Sequence, residues 1–315
     1  MASANANLHK AKDAKNDEFY TQLTDVAKEL MHYKVHFKDK IVLCNCDDPT
    51  WSAFWKYFHL NFAELGLKKL ISTHYDREEA TYKMEYTGGD DNDIEIGVKT
   101  PLEGNGDFRN KECLDLLDES DIVVTNPPFS LFREYVAVLM KHEKKFLIIG
   151  NKNAITYKEF FPLLKDDEVW IGCTNVKEFL QPDGSIKKFG NIGWFTNLDV
   201  AKRHEKLILW KKYTPEEYPD FDNYEGINVN KVSDIPCDYG GIMGVPITYL
   251  DKHNPEQFEI LGITCRGYSP EYRIKLYDSD TYERANDLNG SGCILVNDKP
   301  KMLYGRILIR KKVGV

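Results

Sequence analysis

The chain has 315 residues and a formal net charge of −8, long enough to bury a large core and to carry one large domain with a smaller second one. A hydrophobic share of 42% with mixed charge excludes a disordered chain, and no run approaches the ~18 apolar residues of a membrane span. The negative sum argues against indiscriminate attachment to nucleic acid but leaves a local basic surface open.

Residues 1–17 are expected to form a flexible polar tail, and their lack of an apolar segment argues against a signal peptide and for a cytoplasmic location. From Glu18 to about Phe37, Leu23, Val26, Ala27 and Leu30 recur at helical steps. "IVLCNCDDP" then reads as a short buried strand ending in small and acidic residues. "WSAFWKYFHLNFAELG" predicts a helix with Trp51, Phe54, Trp55, Phe58 and Phe62 on its core face and Gly66 as its stop. "KKLIST" is a strand leading to Asp76, and residues 82–86 and 94–99 alternate like a hairpin. Downstream, "NKECLDLLDES" (helix), "DIVVT" (strand), "SLFREYVAVLMKH" (helix), "KKFLIIG" (strand), "YKEFFPLLKD" (helix) and "EVWIG" (strand) follow in turn. Such alternation predicts an α/β fold with a mostly parallel sheet covered by helices on both faces.

In open α/β sheets ligands collect at the carboxyl ends of the strands. Asn126-Pro127-Pro128-Phe129 lies at such an end. The prolines fix the loop and remove competing donors. The Asn126 side-chain oxygen and the Pro127 carbonyl make two acceptors suited to one –NH₂ group, and Phe129 offers a stacking surface. The plainer alternative is a strand that ends in a proline turn.

These four residues resemble the [D/N/S]-P-P-[F/Y/W] motif of amino-methyltransferases. Against that pattern, Asp107 and Phe108 of "GDF" stand where such enzymes contact the cofactor's adenine. Phe19, Tyr20 and Thr21 of "EFYTQ" stand where a segment closes over the cofactor. Asp76 is placed to accept ribose hydroxyls. More widely, "NDEFYTQ", "CNCDDP", "GDFR", "SDIVVTNPPFSLFREY", "GVPIT" and "YGRILIR" occur in order, and together the chain is similar to the EcoRI-type family of adenine-specific DNA methyltransferases. The resemblance implies a Rossmann-like class I methyltransferase domain over 18–200 and a C-terminal target-recognition region over 201–315. It also implies S-adenosyl-L-methionine as cofactor, N6-adenine methylation of a flipped base in double-stranded DNA, a cognate restriction endonuclease, and action as a monomer. Two other readings stay open: N-methylation of RNA or of a protein glutamine, and a DNA-binding module with a vestigial cofactor pocket.

Where other methyltransferases carry a glycine-rich loop after the first strand, this chain has "CNCDDP". Either Asn45, Cys46 and Asp47, with Asp48, supply side chains to the cofactor, or the segment only caps the next helix. His32 and His36 lack the intervening Glu of a zinc protease, the glycines near Gly104 make an incomplete dinucleotide fingerprint, and no P-loop occurs. Seven scattered cysteines without a CxxC pair suggest reduced thiols, and no metal site is expected. Residues 201–213 carry Lys202, Arg203, His204, Lys206, Lys211 and Lys212, which either contact phosphates or form an ordinary solvated face. Arg306, Arg310, Lys311 and Lys312 are candidates for DNA-backbone contacts.

Overall fold

The computed structural model describes residues 20–76, 80–180 and 185–312; the expected tail and Phe19 lie outside them. By packing, the chain divides into two compact units. One comprises the chain up to Ala154 together with Val169–Val200, the other Ile155–Glu168 together with the chain from Ala201 onward.

In the first unit, β1 (Tyr20–Thr21), α1 (Leu23–Leu30), β2 (Ile41–Cys44), α2 (Ala53–Leu60), α3 (Phe62–Leu65) and β3 (Lys69–Thr73) come first. They are followed by β4 (Tyr82–Tyr86), β5 (Val98–Pro101), α4 (Lys111–Glu119), β6 (Ile122–Thr125), α5 (Phe132–Lys141), β7 (Lys145–Asn151), β8 (Trp170–Leu180) and β9 (Ile186–Thr196). The strands form one sheet in the order β1-β8-β9-β7-β6-β2-β3-β4-β5. β2 and β6 are buried along their whole length, as central parallel strands must be when both faces are covered. α1, α2 and α3 pack on one face, sharing a core with Val42, Val124, Leu147 and Trp194. On α5, Phe132, Tyr135, Val136 and Leu139 are buried, with the Phe132 ring 5.3 Å from Phe195.

Several elements differ from their sequence-based expectation. The sheet is mixed: only β3, β2, β6 and β7 pair in parallel with one another, while β1, β4, β5 and β9 pair antiparallel with their neighbours. The helix expected over 18–37 shortens to α1, because Tyr20 and Thr21 pair instead with Leu180 and Phe179 of β8. Trp51 is 66% exposed, outside the aromatic stripe it was assigned to. Gly66 does end the α2–α3 segment, in the left-handed conformation expected of such a stop. The second hairpin strand pairs at Val98–Pro101 and not at 94–99. Just before it, Asp90 and Asp93 side chains accept from the amides of Asn92 and Glu95 and hold turns. β9 escapes notice in the sequence because Gly190 and Gly193 interrupt its pattern.

The second unit holds α6 (Phe161–Lys165), with Pro162 in its first turn, so the helix expected across "YKEFFPLLKD" is only this short. Then come β10 (Ile227–Asn228), β11 (Met243–Pro246), β12 (Phe258–Ile263), α7 (Ala285–Leu288), β13 (Cys293–Val296), β14 (Lys299–Met302) and β15 (Arg306–Lys311). β10, β11, β15 and β12 form a four-stranded sheet in that order, while β13 and β14 make a separate two-stranded ribbon. Phe221, Tyr224, Ile242, Leu261 and Leu308 form an apolar cluster in this unit.

Candidate active site

The carboxyl edge of the first sheet is held together by buried polar contacts. Immediately after β2, the Asn45 carbonyl accepts from Thr125 Oγ1 at 2.5 Å, and its side-chain oxygen accepts from the Tyr135 hydroxyl on α5. The first bond ties the end of β2 to the end of β6, from which the NPPF loop departs, and the second ties it to the helix into which that loop leads. Asn126 is half-buried and Pro127 buried. Pro128 leads into a 3₁₀ turn over Phe129–Leu131, closed by Leu131 N–H donating to the Pro128 carbonyl at 3.0 Å. The Phe129 ring meets Phe179 and Phe189 edge-on, with centroids 6.2 and 6.4 Å away.

The "CNCDDP" loop replaces the missing glycine with a strained residue. Cys46 adopts φ +58°, a left-handed conformation usually left to glycine or asparagine. β3 braces it: Cys46 N–H donates to Thr73 Oγ1 at 3.3 Å, Asp47 N–H to the Thr73 carbonyl at 3.1 Å, and Ser72 Oγ to the Asp47 carbonyl at 2.6 Å. The helix cap is neither Asp48 nor Pro49 but Ser52, whose Oγ accepts from Trp55 N–H at 2.9 Å and donates to the Asp47 carboxylate. Loss of hydration pushes the Asp47 carboxyl up to about 7, with the neighbouring Asp48 adding to the rise. Asp48 accepts from Thr50 and from the Tyr82 hydroxyl at 2.8 Å, with His74 Nε2 3.7 Å away.

The loops after β3 and before α4 lie against each other. Asp76 N–H donates to the Asn105 carbonyl at 3.2 Å. Gly106 sits at φ +73°, where a Cβ would collide with the His74 carbonyl. Only glycine permits that approach, and it brings the Asp76 and Asp107 segments together. The Asp107 carboxylate is gripped by its own loop: Oδ1 accepts from Arg109 N–H and Nε, both at 2.9 Å, and Oδ2 from Arg109 Nη2 at 2.6 Å. The Arg109 guanidinium holds this carboxyl below the usual range. Phe108 is buried, edge-to-face with Tyr135 at 5.0 Å.

β9 runs antiparallel to both β7 and β8, so β8 points the same way as β7. Thr21, opposite Phe179 near the end of β8, therefore shares the carboxyl edge. Among the described residues, Thr21 Oγ1 and His74 Nδ1 are buried there without a hydrogen-bond partner. Buried polar atoms are normally satisfied, so each of these two could take a bond from a polar ligand; Asp47 and Asp76 add carboxylates along the same edge, whereas Asp107 is presented already paired with Arg109.

Comparison with known proteins fits this arrangement. The family described as adenine-specific methyltransferase EcoRI matches residues 7–312. The chain belongs to this family. It is 46% identical to the type II methyltransferase M.EcoRI of Escherichia coli, over 86% of this chain and 96% of that protein. It is 38% identical to the type II methyltransferase M.MpnI of Mycoplasma pneumoniae, over 98% and 99% of the two chains. A third relative, the type II methyltransferase M.MgeORF184P of Mycoplasma genitalium, is 34% identical over 97% and 99%. No solved structure gives a significant match.

Within this EcoRI-family chain, the structure adds residues that sequence reasoning missed. Tyr135 and Thr125 lock the two loops, Thr73 braces Cys46, and Arg109 fixes Asp107. Glu29 on α1 is fully buried. It accepts from Cys173 N–H at 2.7 Å, Thr174 N–H and Oγ1 both at 2.6 Å, and Tyr33 OH at 3.0 Å. This carboxylate fastens α1, which directly follows Thr21, to the strand that pairs with Thr21. A lone Glu within an amphipathic pattern gives no sign of such a role. In the second unit, several cations named from sequence are engaged internally: Arg203 by Asp167 at 2.8 Å, His204 by Glu256, Lys211 by Glu217 and Asp234, and Arg310 by Glu259 at 2.6 Å.

Proposed function

We propose that the chain methylates the exocyclic N6 of a specific adenine in double-stranded DNA, with S-adenosyl-L-methionine as donor. The observation that carries this reading is the NPPF elbow at the carboxyl end of β6, tied through Thr125 and Tyr135 to the loop after β2. Family membership supplies the adenine specificity, and no feature of the site favours RNA, protein glutamine or a vestigial pocket.

Bound S-adenosyl-L-methionine supplies an electrophilic methyl group on a positively charged sulfur. Asp47, Asp76 and Asp107, with Thr21 and His74, are the residues that would hold it. Cys46, braced by Thr73, shapes the loop where the backbone comes close to the donor. Adenine N6 is a weak nucleophile because its lone pair is delocalised into the ring. Asn126 Oδ1 and the Pro127 carbonyl would accept hydrogen bonds from its two N–H groups and so draw the lone pair out of the ring towards the methyl group; the donor would leave as the neutral thioether and one N–H proton would pass to solvent. Phe129 lies against the base face, a contact worth ~1–3 kcal/mol, and the rigid proline loop supplies orientation. The base reaches this elbow only when flipped from the duplex, at a cost of a few kcal/mol. The second unit would carry target recognition, and a restriction endonuclease of the same specificity would be the companion enzyme.

Expression in a bacterial strain lacking DNA methylation, followed by sequencing that detects modified adenines, tests the reading. N6-methyladenine at one recurrent short sequence is expected; a genome without it would overturn the assignment.

A further inference from the structure

The β13–β14 ribbon is a two-stranded sheet of its own within the second unit, with Ile294 bridged to Phe221. Its base is anchored: Cys293 N–H donates to Asn223 Oδ1 at 2.8 Å, and Asp222 N–H to the Cys293 carbonyl at 2.8 Å. Its far end is a two-residue turn in which Asn297 and Asp298 are both left-handed, at φ +52° and +59°, the geometry of a tight, strongly twisted hairpin. The pairs Val296↔Lys299 and Ile294↔Lys301 put both lysines on one face. Neither lysine has an anionic partner among the described residues. Leu295, Val296 and Met302 are exposed on the same ribbon, and Tyr304 just beyond it is 92% exposed.

The strand that leaves this ribbon begins with Arg306. Its guanidinium is half-buried, yet its side-chain partners are two neutral oxygens, Asn228 Oδ1 at 3.0 Å from Nε and the Tyr304 carbonyl at 3.0 Å from Nη1. Burial without a neighbouring carboxylate pulls its proton affinity below that of an ordinary arginine. A guanidinium offers five N–H donors, and two are used here. Arg310 on the same strand differs, since Glu259 already holds it. Lys301 and Arg306 are five positions apart in the chain, a reach of at most about 17 Å, so one short arm carries three cations without anionic partners among the described residues. Asp298 is the single acid between Cys293 and Arg306.

We propose that residues 293–306 form the arm that enters a groove of the target duplex, with Lys299 and Lys301 on backbone phosphates and Arg306 on a fixed acceptor of the DNA. A two-stranded ribbon has the width of the major groove, and three unmatched cations complement the phosphate charge. The exposed aliphatic side chains and Tyr304 meet sugar and base surfaces that a purely ionic patch would not need. The inference rests on the reading of the chain as a DNA methyltransferase. The acceptor for Arg306 is either a phosphate or the O6/N7 edge of a guanine, both of which take a guanidinium in bidentate fashion.

The test uses the full-length protein and a fluorescein-labelled 30-base-pair duplex, with affinity followed by anisotropy between 50 and 200 mM salt. The double variant Lys299→Ala/Lys301→Ala is expected to lower the salt slope by about 1.8, near 0.9 per phosphate contact. Over that range the wild type then loses about twelvefold more affinity than the variant. Melting temperature is expected to stay at the wild-type value. Lys111→Ala, which removes a lysine paired with Asp115 on α4, controls for lost charge and should leave the slope alone. Equal slopes and affinities for wild type and double variant would overturn the proposal. So would wild-type self-association, seen by sedimentation, that the double variant abolishes, since the arm would then meet another copy of the chain. Arg306→Lys separates the two acceptors. A uniform loss of affinity across sequences indicates a phosphate, and new methylated sequences in the methylation-free strain, altered at one position, indicate a guanine. Unchanged affinity and unchanged sites would remove Arg306 from the arm. The slope does not depend on methyl transfer, so an inactive wild type with the expected slopes would sink the catalytic reading and leave the arm standing.

Discussion

The carboxyl edge of the first sheet and the β13–β14 ribbon are built on opposite plans. At the edge, the loop after β2 is held by partly or fully buried contacts, Thr125 and Tyr135 on Asn45, Thr73 on Cys46 and Ser52 on Asp47, while Arg109 fixes Asp107 from within its own, more exposed loop. The ribbon is hydrogen-bonded to the rest of its unit at its base, lies against α7 along β14, and still exposes aliphatic and cationic side chains. Methyl transfer demands fixed atoms, because a near-attack geometry tolerates little displacement. Recognition of a long, charged, deformable polymer needs reach and unmatched charge. The same chain meets both demands by burying polar groups in one region and exposing apolar ones in the other.

The largest expected effect separates the chemistry of the edge from its framework. Asn126→Ala removes one of the two proposed acceptors for N6 while leaving Thr125, Tyr135 and the prolines in place. Loss of such a positioned polar group costs ~10²–10³-fold in rate, and stability should change by less than about 1 kcal/mol. Radiolabel transfer to DNA measures the first and urea denaturation the second. Near-wild-type transfer would remove Asn126 from the chemistry; a large loss of stability would mean that the elbow belongs to the framework after all.

Glu29→Ala attacks the framework itself. The substitution leaves the N–H groups of Cys173 and Thr174 and two hydroxyls facing a void, and a loss of about 3–5 kcal/mol follows from stranding several buried donors. Glu29→Gln keeps one acceptor but turns an –NH₂ towards a donor, so its loss should be intermediate. If both variants unfold at the wild-type urea concentration, the clamp between α1 and β8 contributes nothing and the edge is less rigid than its hydrogen bonds suggest.

A pH effect comes next. The Asp47 carboxyl, ordinarily near 4, is pushed up to about 7 in the folded chain, so folding favours its protonated form. Below pH 4 the group is protonated in both states and costs nothing. As pH rises towards 7 the unfolded chain ionises first and stability falls, by ~2–4 kcal/mol at ~1.4 kcal/mol per unit; above 7 the loss is complete. Asp47→Asn escapes it, so the variant's melting temperature should exceed the wild type's at pH 8 and converge with it near pH 4. A constant difference across that range would show that Asp47 is not the group responsible. Added S-adenosyl-L-methionine, being cationic, should stabilise the wild type more than this variant.

What the sequence disclosed divides along the same line as the two regions. The alternation of buried strands and amphipathic helices marked β2, β3, β6 and β7 at nearly their true bounds, because central strands are uniformly apolar and their limits are set by turn residues. The elbow could be read from its four residues, since two prolines after a strand end constrain the backbone by themselves. The bracing could not. Tyr135 looks like any aromatic on a helix, and Glu29 like any surface acid, until residues 90 and 144 positions away are brought to them. β1 was hidden for the same reason, its two residues being strand only because β8 lies alongside. In the second unit, short strands separated by long irregular connections carry little periodicity, and whether a lysine or arginine is engaged depends on acids distant in sequence.

The smallest expected effect draws that last distinction within one strand. Arg306 and Arg310 lie four residues apart on β15, and sequence alone gives no ground for treating them differently. Arg310 is held by Glu259 in a largely exposed pair, 46% and 38% for the two side chains. Exposed pairs contribute ~0.2–1 kcal/mol at most, so Arg310→Ala should unfold almost where the wild type does. Because the guanidinium is already neutralised, removing it should also leave the salt slope for duplex DNA unchanged, whereas Lys299→Ala/Lys301→Ala lowers it. A slope that falls by about 0.9 in Arg310→Ala would mean that Glu259 yields its partner to a phosphate, and the DNA-facing surface would then extend along β15 beyond the ribbon and its arm.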